Sequence, residues 1–168
     1  MTAHSTAVAN QFLTLANERG VWFTQMQLQK LVYISHGWCL ALAEQPLTTD
    51  LPAAWDYGPV YFDLWQSLKR YGRKVVTDTI KVADYSLFAE NSSQVSKANF
   101  EQYEQDIIQK VFEHYGHFHA FQLSALTHKE GTPWYKVYVE QGMKKTPISN
   151  DSIREHFTEL GDQQASAN

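Results

Sequence analysis

A chain of 168 residues that is 43% hydrophobic and 19% charged has the balance of a folded globular protein, which excludes the polar, highly charged profile of disorder. At this length one domain is expected, burying about 70% of the unfolded chain's surface, so neither disulfide nor metal is needed to hold it. A net charge of -4 and a pI near 5.9 repel a phosphate backbone and argue against general nucleic-acid binding.

No apolar run approaches the roughly 18 residues of a membrane span, and residues 1–17 have neither a basic start nor an apolar signal core. The lone Cys39 has no intrachain partner for a disulfide and suits a reducing compartment, so a cytoplasmic location is expected. Nine Tyr, nine Phe and five Trp supply large buried area and also the residue types that dominate binding energy at interfaces.

The first predicted helix starts near Ser5, aligns Val8, Phe12, Leu15 and Ala16 on one face, and stops before Gly20. Thr24 opens the second: its hydroxyl and Gln27 form a Thr-x-x-Gln capping box. Leu28, Leu31, Val32, Ser35, Trp38, Cys39 and Leu42 recur at helical spacing as a core stripe, with Gln25, Gln29, His36 and Ala43 away from it. Pro46, Pro52 and Thr48-Thr49-Asp50 interrupt helical structure and leave room for a short extended segment before Trp55.

Gly58-Pro59 reads as a turn, with Pro59 opening a helix that carries Val60, Leu64, Trp65 and Leu68 and ends at Gly72. Weak alternation from Arg73 to Gln94 fits a small hairpin. Phe100, Tyr103, Ile107, Ile108, Val111, Phe112 and Tyr115 define a helix closed by Gly116, and Ala120 to His128 a shorter one carrying Phe121, Leu123 and Leu126. Gly131 and Pro133 place Trp134 and Tyr135 on the turn after it, and Asn150 caps a last helix with Ile153, Phe157 and Leu160. The expected fold is mainly α, a compact single domain over residues 1–168 of about six helices with a small β-hairpin in the middle. Its core spans about residues 7–160, with residues 161–168 a frayed polar tail.

No catalytic motif emerges: there is no Gly-x-Ser-x-Gly elbow, phosphate-binding Gly-rich loop or His-Glu-x-x-His. His114, His117 and His119 are candidate metal ligands, but the spacing straddles Gly116 and no fourth ligand completes a motif. Cys39, with His36 or His128, falls late in a helix on its apolar stripe, where a thiol packs rather than reacts. Lys69, Arg70, Arg73 and Lys74 form a basic cluster at a helix C-terminus, where cations are stabilised by the dipole and face solvent; as a binding patch it suits an acidic protein surface. Trp38 reads as core, whereas Trp55 and Trp134 beside their proline turns, and Trp65, serve equally as packing or as docking material.

The ordered set VANQFLTLANERG from Val8, TQMQLQKLVYISHGWCLAL from Thr24, Pro46-Leu47, AWDYGPVY from Ala54, LKRYG from Leu68, LTHKEGTPW from Leu126 and ISNDSIREHF from Ile148 resembles the Panacea domain. That family is also described as SocA-like antitoxins and earlier as a phage-associated domain of unknown function. The resemblance covers about residues 7–160 and departs at His119, where a serine-type cap is more usual. It implies a helical domain that is not an enzyme, needs no cofactor, and neutralises a cognate toxin, encoded next door, by direct binding. In SocA-type members it also implies delivery of that toxin to a ClpXP-type protease.

The resemblance further implies that Lys30, Tyr33, Trp38, Trp55, Gly58, Pro59, His128, Pro133 and Trp134 are signature or toxin-contacting positions. Two readings stand beside it: a metal-dependent or nucleic-acid-directed phage enzyme built on the histidines and the basic cluster, and a phage or host interaction protein without a toxin partner.

Overall fold

A computed structural model describes residues 3–83 and 92–167. Along the chain run α1 (Ser5–Arg19), α2 (Gln25–Ala43), β1 (Ala53–Trp55), β2 (Gly58–Val60), α3 (Phe62–Leu68), β3 (Lys81–Ala83) and β4 (Ser93–Val95). Then follow α4 (Gln102–Tyr115), α5 (Ala120–His128), α6 (Pro133–Tyr135) and α7 (Asn150–Ser166). The fold is mainly α, as expected. β1 pairs antiparallel with β2, and β3 with β4; part of the hairpin predicted over residues 73–94 therefore lies outside the described residues.

α2 is the axis of the fold and packs against α1, α3, α4, α5 and α7. Its start is fixed by the Thr24–Gln27 capping box, in which the Thr24 N–H donates to Gln27 Oε1 at 2.8 Å. Gly37 lets α7 approach closely: a Cβ there would lie 2.2 Å from the Phe157 ring. Tyr33 and Trp38 meet the same Phe157 edge-on, with ring centroids 5.9 and 5.3 Å away.

Because neighbours surround α2, its apolar stripe does not mark the whole buried surface. Gln29 and His36, predicted to lie off the core, are both buried. Burial of these two is tolerated because the polar atoms of both side chains have partners. Gln29 exchanges two hydrogen bonds with the Tyr61 backbone. His36 Nδ1 accepts from the N–H groups of Leu47 and Thr48, both at 3.2 Å, and its Nε2 donates to Asn150 Oδ1 at 2.8 Å. Leu42, predicted core, is 68% exposed.

Four other expectations are corrected. Pro59 does not open a helix but sits in β2 opposite Ala54; α3 begins three residues later, and Tyr61 caps it without a side-chain bond. Trp134 and Tyr135 lie within α6, because Thr132 Oγ1 accepts from the Tyr135 N–H and Pro133 occupies the first turn; a π turn over Lys136–Glu140 follows. Ser149, not Asn150, caps α7, which frees the Asn150 carboxamide for His36. α7 then continues through Gly161, where fraying was predicted, to Ser166; Gly161 faces the Trp38 ring.

Candidate protein-binding surface

Strands of three residues make a hairpin that is marginal by itself, and its buried carbonyls need partners. The β1–β2 hairpin obtains them from side chains of three helices. Trp134 Nε1 donates to the Trp55 carbonyl at 2.7 Å, Ser124 Oγ to the Tyr57 carbonyl at 2.7 Å, and Lys30 Nζ to the Pro59 carbonyl at 3.0 Å. The His128 ring lies between the Asp56 carbonyl of the hairpin, 3.2 Å from Nε2, and the Ser124 carbonyl of its own helix, 2.6 Å from Nδ1; a neutral ring has one N–H and donates to one of them. Trp134 packs at a tilt against His128, centroids 3.9 Å apart, and stacks on Tyr138 at 4.6 Å.

Gly58 closes the same clasp. Its φ of 108° lies in the region that favours glycine, and a Cβ would stand 2.6 Å from Thr127 Oγ1 and 2.9 Å from Lys30 Cε. Lys30 is fully buried, and burial pushes its ammonium down to about 7. Of the nine signature candidates, Lys30, Gly58, Pro59, His128, Pro133, Trp134 and the backbone of Trp55 therefore meet at one node; Tyr33 and Trp38 lie elsewhere, in the α2–α7 packing. Burial raises the Tyr33 hydroxyl, so it stays protonated.

At its tip, Asp56 and Tyr57, the hairpin is exposed. Its tip projects Tyr57, 61% exposed, over a groove of about 560 Å³ lined by Met26 on α2, Trp65 on α3, Arg73, and Ala120 and Phe121 at the start of α5. Phe121, predicted only as one of the apolar positions of α5, is 75% exposed. Beside the groove, Trp55, Phe62 and Trp65 form a ridge with centroids 5.3 to 6.4 Å apart, crossed by Lys145 over Trp55 at 5.2 Å and Lys69 over Trp65 at 5.5 Å. Lys145 is set there because its N–H donates to the Ala54 carbonyl at 2.7 Å, holding its segment beside β1.

The basic cluster divides. Arg70 stacks on Tyr71 and reaches Asp78 at 3.4 Å, Lys69 covers Trp65, and Arg73 stands at the groove; Lys74 is exposed outside it.

The three candidate histidines do not converge. His114 packs on Tyr115, His117 on Phe118, and His119 precedes α5, where Gln122 Oε1 accepts from its N–H at 2.8 Å. Among the described residues the set with ligand atoms close enough to share an ion is a different one, His4, Asp50 and Asp63. There His4 Nε2 meets Asp63 Oδ2 at 3.0 Å, and Asp50 accepts from the N–H and hydroxyl of Ser5. These bonds fasten the start of α1; nothing in the sequence spacing singles them out. The Cys39 thiol is buried and pushed up to about 12, chiefly by desolvation and then by Glu104, the opposite of what a nucleophile needs.

A second apolar groove of about 470 Å³ lies on another face, between Trp38 and Leu42 of α2, Ile107 and His114 of α4, and Gln164 of α7. No helix among the described residues is long and apolar enough to cross a membrane.

No solved structure matches the chain with significance. Antitoxin SocA of Caulobacter vibrioides (strain NA1000 / CB15N) is 30% identical over 131 residues, an alignment that takes in 76% of this chain and 66% of that protein, so this chain spans about two thirds of the relative's length. Residues 28–135, which contain the whole β1–β2 hairpin, the elements that clasp it and the groove beneath Tyr57 except the first turn of α2, match the family described as antitoxin SocA-like, Panacea domain, and the chain belongs to that family.

Proposed function

We propose that this protein is an antitoxin that neutralises a cognate toxin by direct binding, using the exposed face around Tyr57. The observation that carries the reading is the combination, within an antitoxin-family match, of aromatics and cations gathered around the exposed tip of a rigidly held hairpin. Trp, Tyr and Arg are the residues that supply most binding energy at protein interfaces, and a face held before binding loses less entropy when it docks. The same membership supports a role by binding rather than by catalysis, and the buried, unreactive Cys39 and the dispersed histidines fit it.

The test is co-expression in a bacterial host with the product of each adjacent gene. One product should arrest growth alone, be relieved by this protein and co-purify with it; if neither is toxic, or neither is captured, the reading is wrong. Repeating the rescue in a host lacking ClpX separates the two modes of action. Rescue persists under stoichiometric neutralisation and is lost under delivery to that protease.

A further inference from the structure

The groove beneath Tyr57 has a charge character opposite to that of the whole chain. Overall there are 18 acidic residues against 14 basic ones, yet the titratable groups lining the groove are Arg73, Lys30, His119 and Tyr57, with no carboxylate. The carboxylates nearest in sequence to its walls are already engaged: Asp56 accepts from the Tyr138 hydroxyl and faces Lys144, Asp63 pairs with His4, and Asp78 accepts from Arg70 and the Tyr71 hydroxyl. Among the described residues Arg73 pairs with none.

The first turns of α2 and α5 both open on the groove, so two positive helix ends add to Arg73. Between these groups the walls are apolar, formed by Met26, Val60, Trp65, Ala120 and Phe121.

We propose that this groove receives an apolar segment of the toxin that carries a carboxylate, its side chain meeting Arg73. Phe121 and Trp65 grip the apolar part, and the acid selects among segments of similar shape. This rests on the antitoxin reading above.

The experiment uses the full chain and the toxin recovered by co-expression with the adjacent gene, with affinity measured by titration at two salt concentrations. Phe121→Asp should weaken binding about 30-fold or more, and Arg73→Glu about 10-fold with a flattened salt dependence. Leu42→Asp, on the second groove, should stay within about twofold of wild type. A scan of Asp→Lys and Glu→Lys substitutions in the toxin should yield one that restores binding to Arg73→Glu, identifying the paired carboxylate. Thermal melts check that each variant is folded, which the surface position of all three residues favours.

If wild type neutralises the toxin while Phe121→Asp and Arg73→Glu bind as wild type does, or Leu42→Asp alone abolishes binding, the groove is not the site. If Phe121→Asp weakens binding but no toxin substitution rescues Arg73→Glu, the acidic pairing is wrong. A wild-type protein that neither binds nor neutralises sinks the antitoxin reading itself, and the groove proposal with it, which is a distinguishable result.

Discussion

The two sides of the β1–β2 hairpin are built by opposite rules. On the inner side Lys30, Ser124, His128 and Trp134 spend their polar atoms on backbone carbonyls of the hairpin, so side-chain identity is tied to geometry there. On the outer side Tyr57, Phe62 and Phe121 are exposed, and little in the chain demands their identity. The difference separates two meanings of a family signature: residues that hold a surface in place, and residues that occupy it. Most of the candidate signature positions belong to the first kind.

The contrast breaks most visibly at Trp134. Trp134→Ala removes a buried indole and orphans the Trp55 carbonyl, and should cost about 3–5 kcal/mol in urea unfolding. A loss below about 1 kcal/mol would mean that the hairpin is held without it.

Gly58→Ala comes next. The positive φ and the close approach to Thr127 and Lys30 together place its cost at the upper end of about 1–3 kcal/mol. Because strain here moves the hairpin tip, toxin affinity should fall with stability, whereas Gly131→Ala, where an added Cβ meets nothing within 4 Å, should leave affinity unchanged.

How much of this was legible in the sequence follows the range of the interactions. The Thr24 capping box and the Gly20 stop were read correctly because each is settled within a few residues. Pro59 was misread because its partner Ala54 is found by strand pairing, while a Gly-Pro pair looks locally like a helix start. Gln29 and His36 looked like solvent positions since their partners Tyr61 and Asn150 lie 32 and 114 residues away.

For the candidate surface, most positions marked by the resemblance fall at the inner node, while Trp55, Trp65, Lys69 and Arg73, named as docking or basic-patch candidates, lie on the outer ridge or at the groove; Tyr57 and Phe62 were not singled out. Phe121 carried a usable signal. It precedes Leu123 by two residues, about 200° around a helix, so both cannot face one core. Leu123 is buried and Phe121 is not.

Lys30 sharpens the comparison through pH. Its folded-state value, lowered by burial to about 7, lies below the unfolded value of 10.5, so between these limits the unfolded chain binds a proton that the native chain does not. The stability linked to this one proton is therefore lost as pH falls through that window, and that increment is absent below it. Relative to Lys30→Met, wild type should gain about 2 kcal/mol of unfolding free energy between about pH 7 and about pH 9, from roughly 1.4 kcal/mol per pKa unit discounted for relaxation. Lys30→Met also leaves the Pro59 carbonyl unpaired, a pH-independent loss that the slope excludes. A flat difference between the two proteins would show Lys30 to be charged in the fold and the inner side to be wetter than its packing implies.

The smallest effect tests the outer side. Phe121→Ala removes a ring that is 75% exposed and should change unfolding free energy by no more than about 0.5 kcal/mol, with the same urea slope. Its apolar area is then free in the isolated protein and available to a partner, so the loss should appear in toxin affinity alone. A stability loss above about 1 kcal/mol would instead place Phe121 among the supports of the α5 N-terminus. In that case the boundary between holding and binding residues moves outward from Ser124 by one helical turn, and Tyr57 becomes the residue on which the outer face depends.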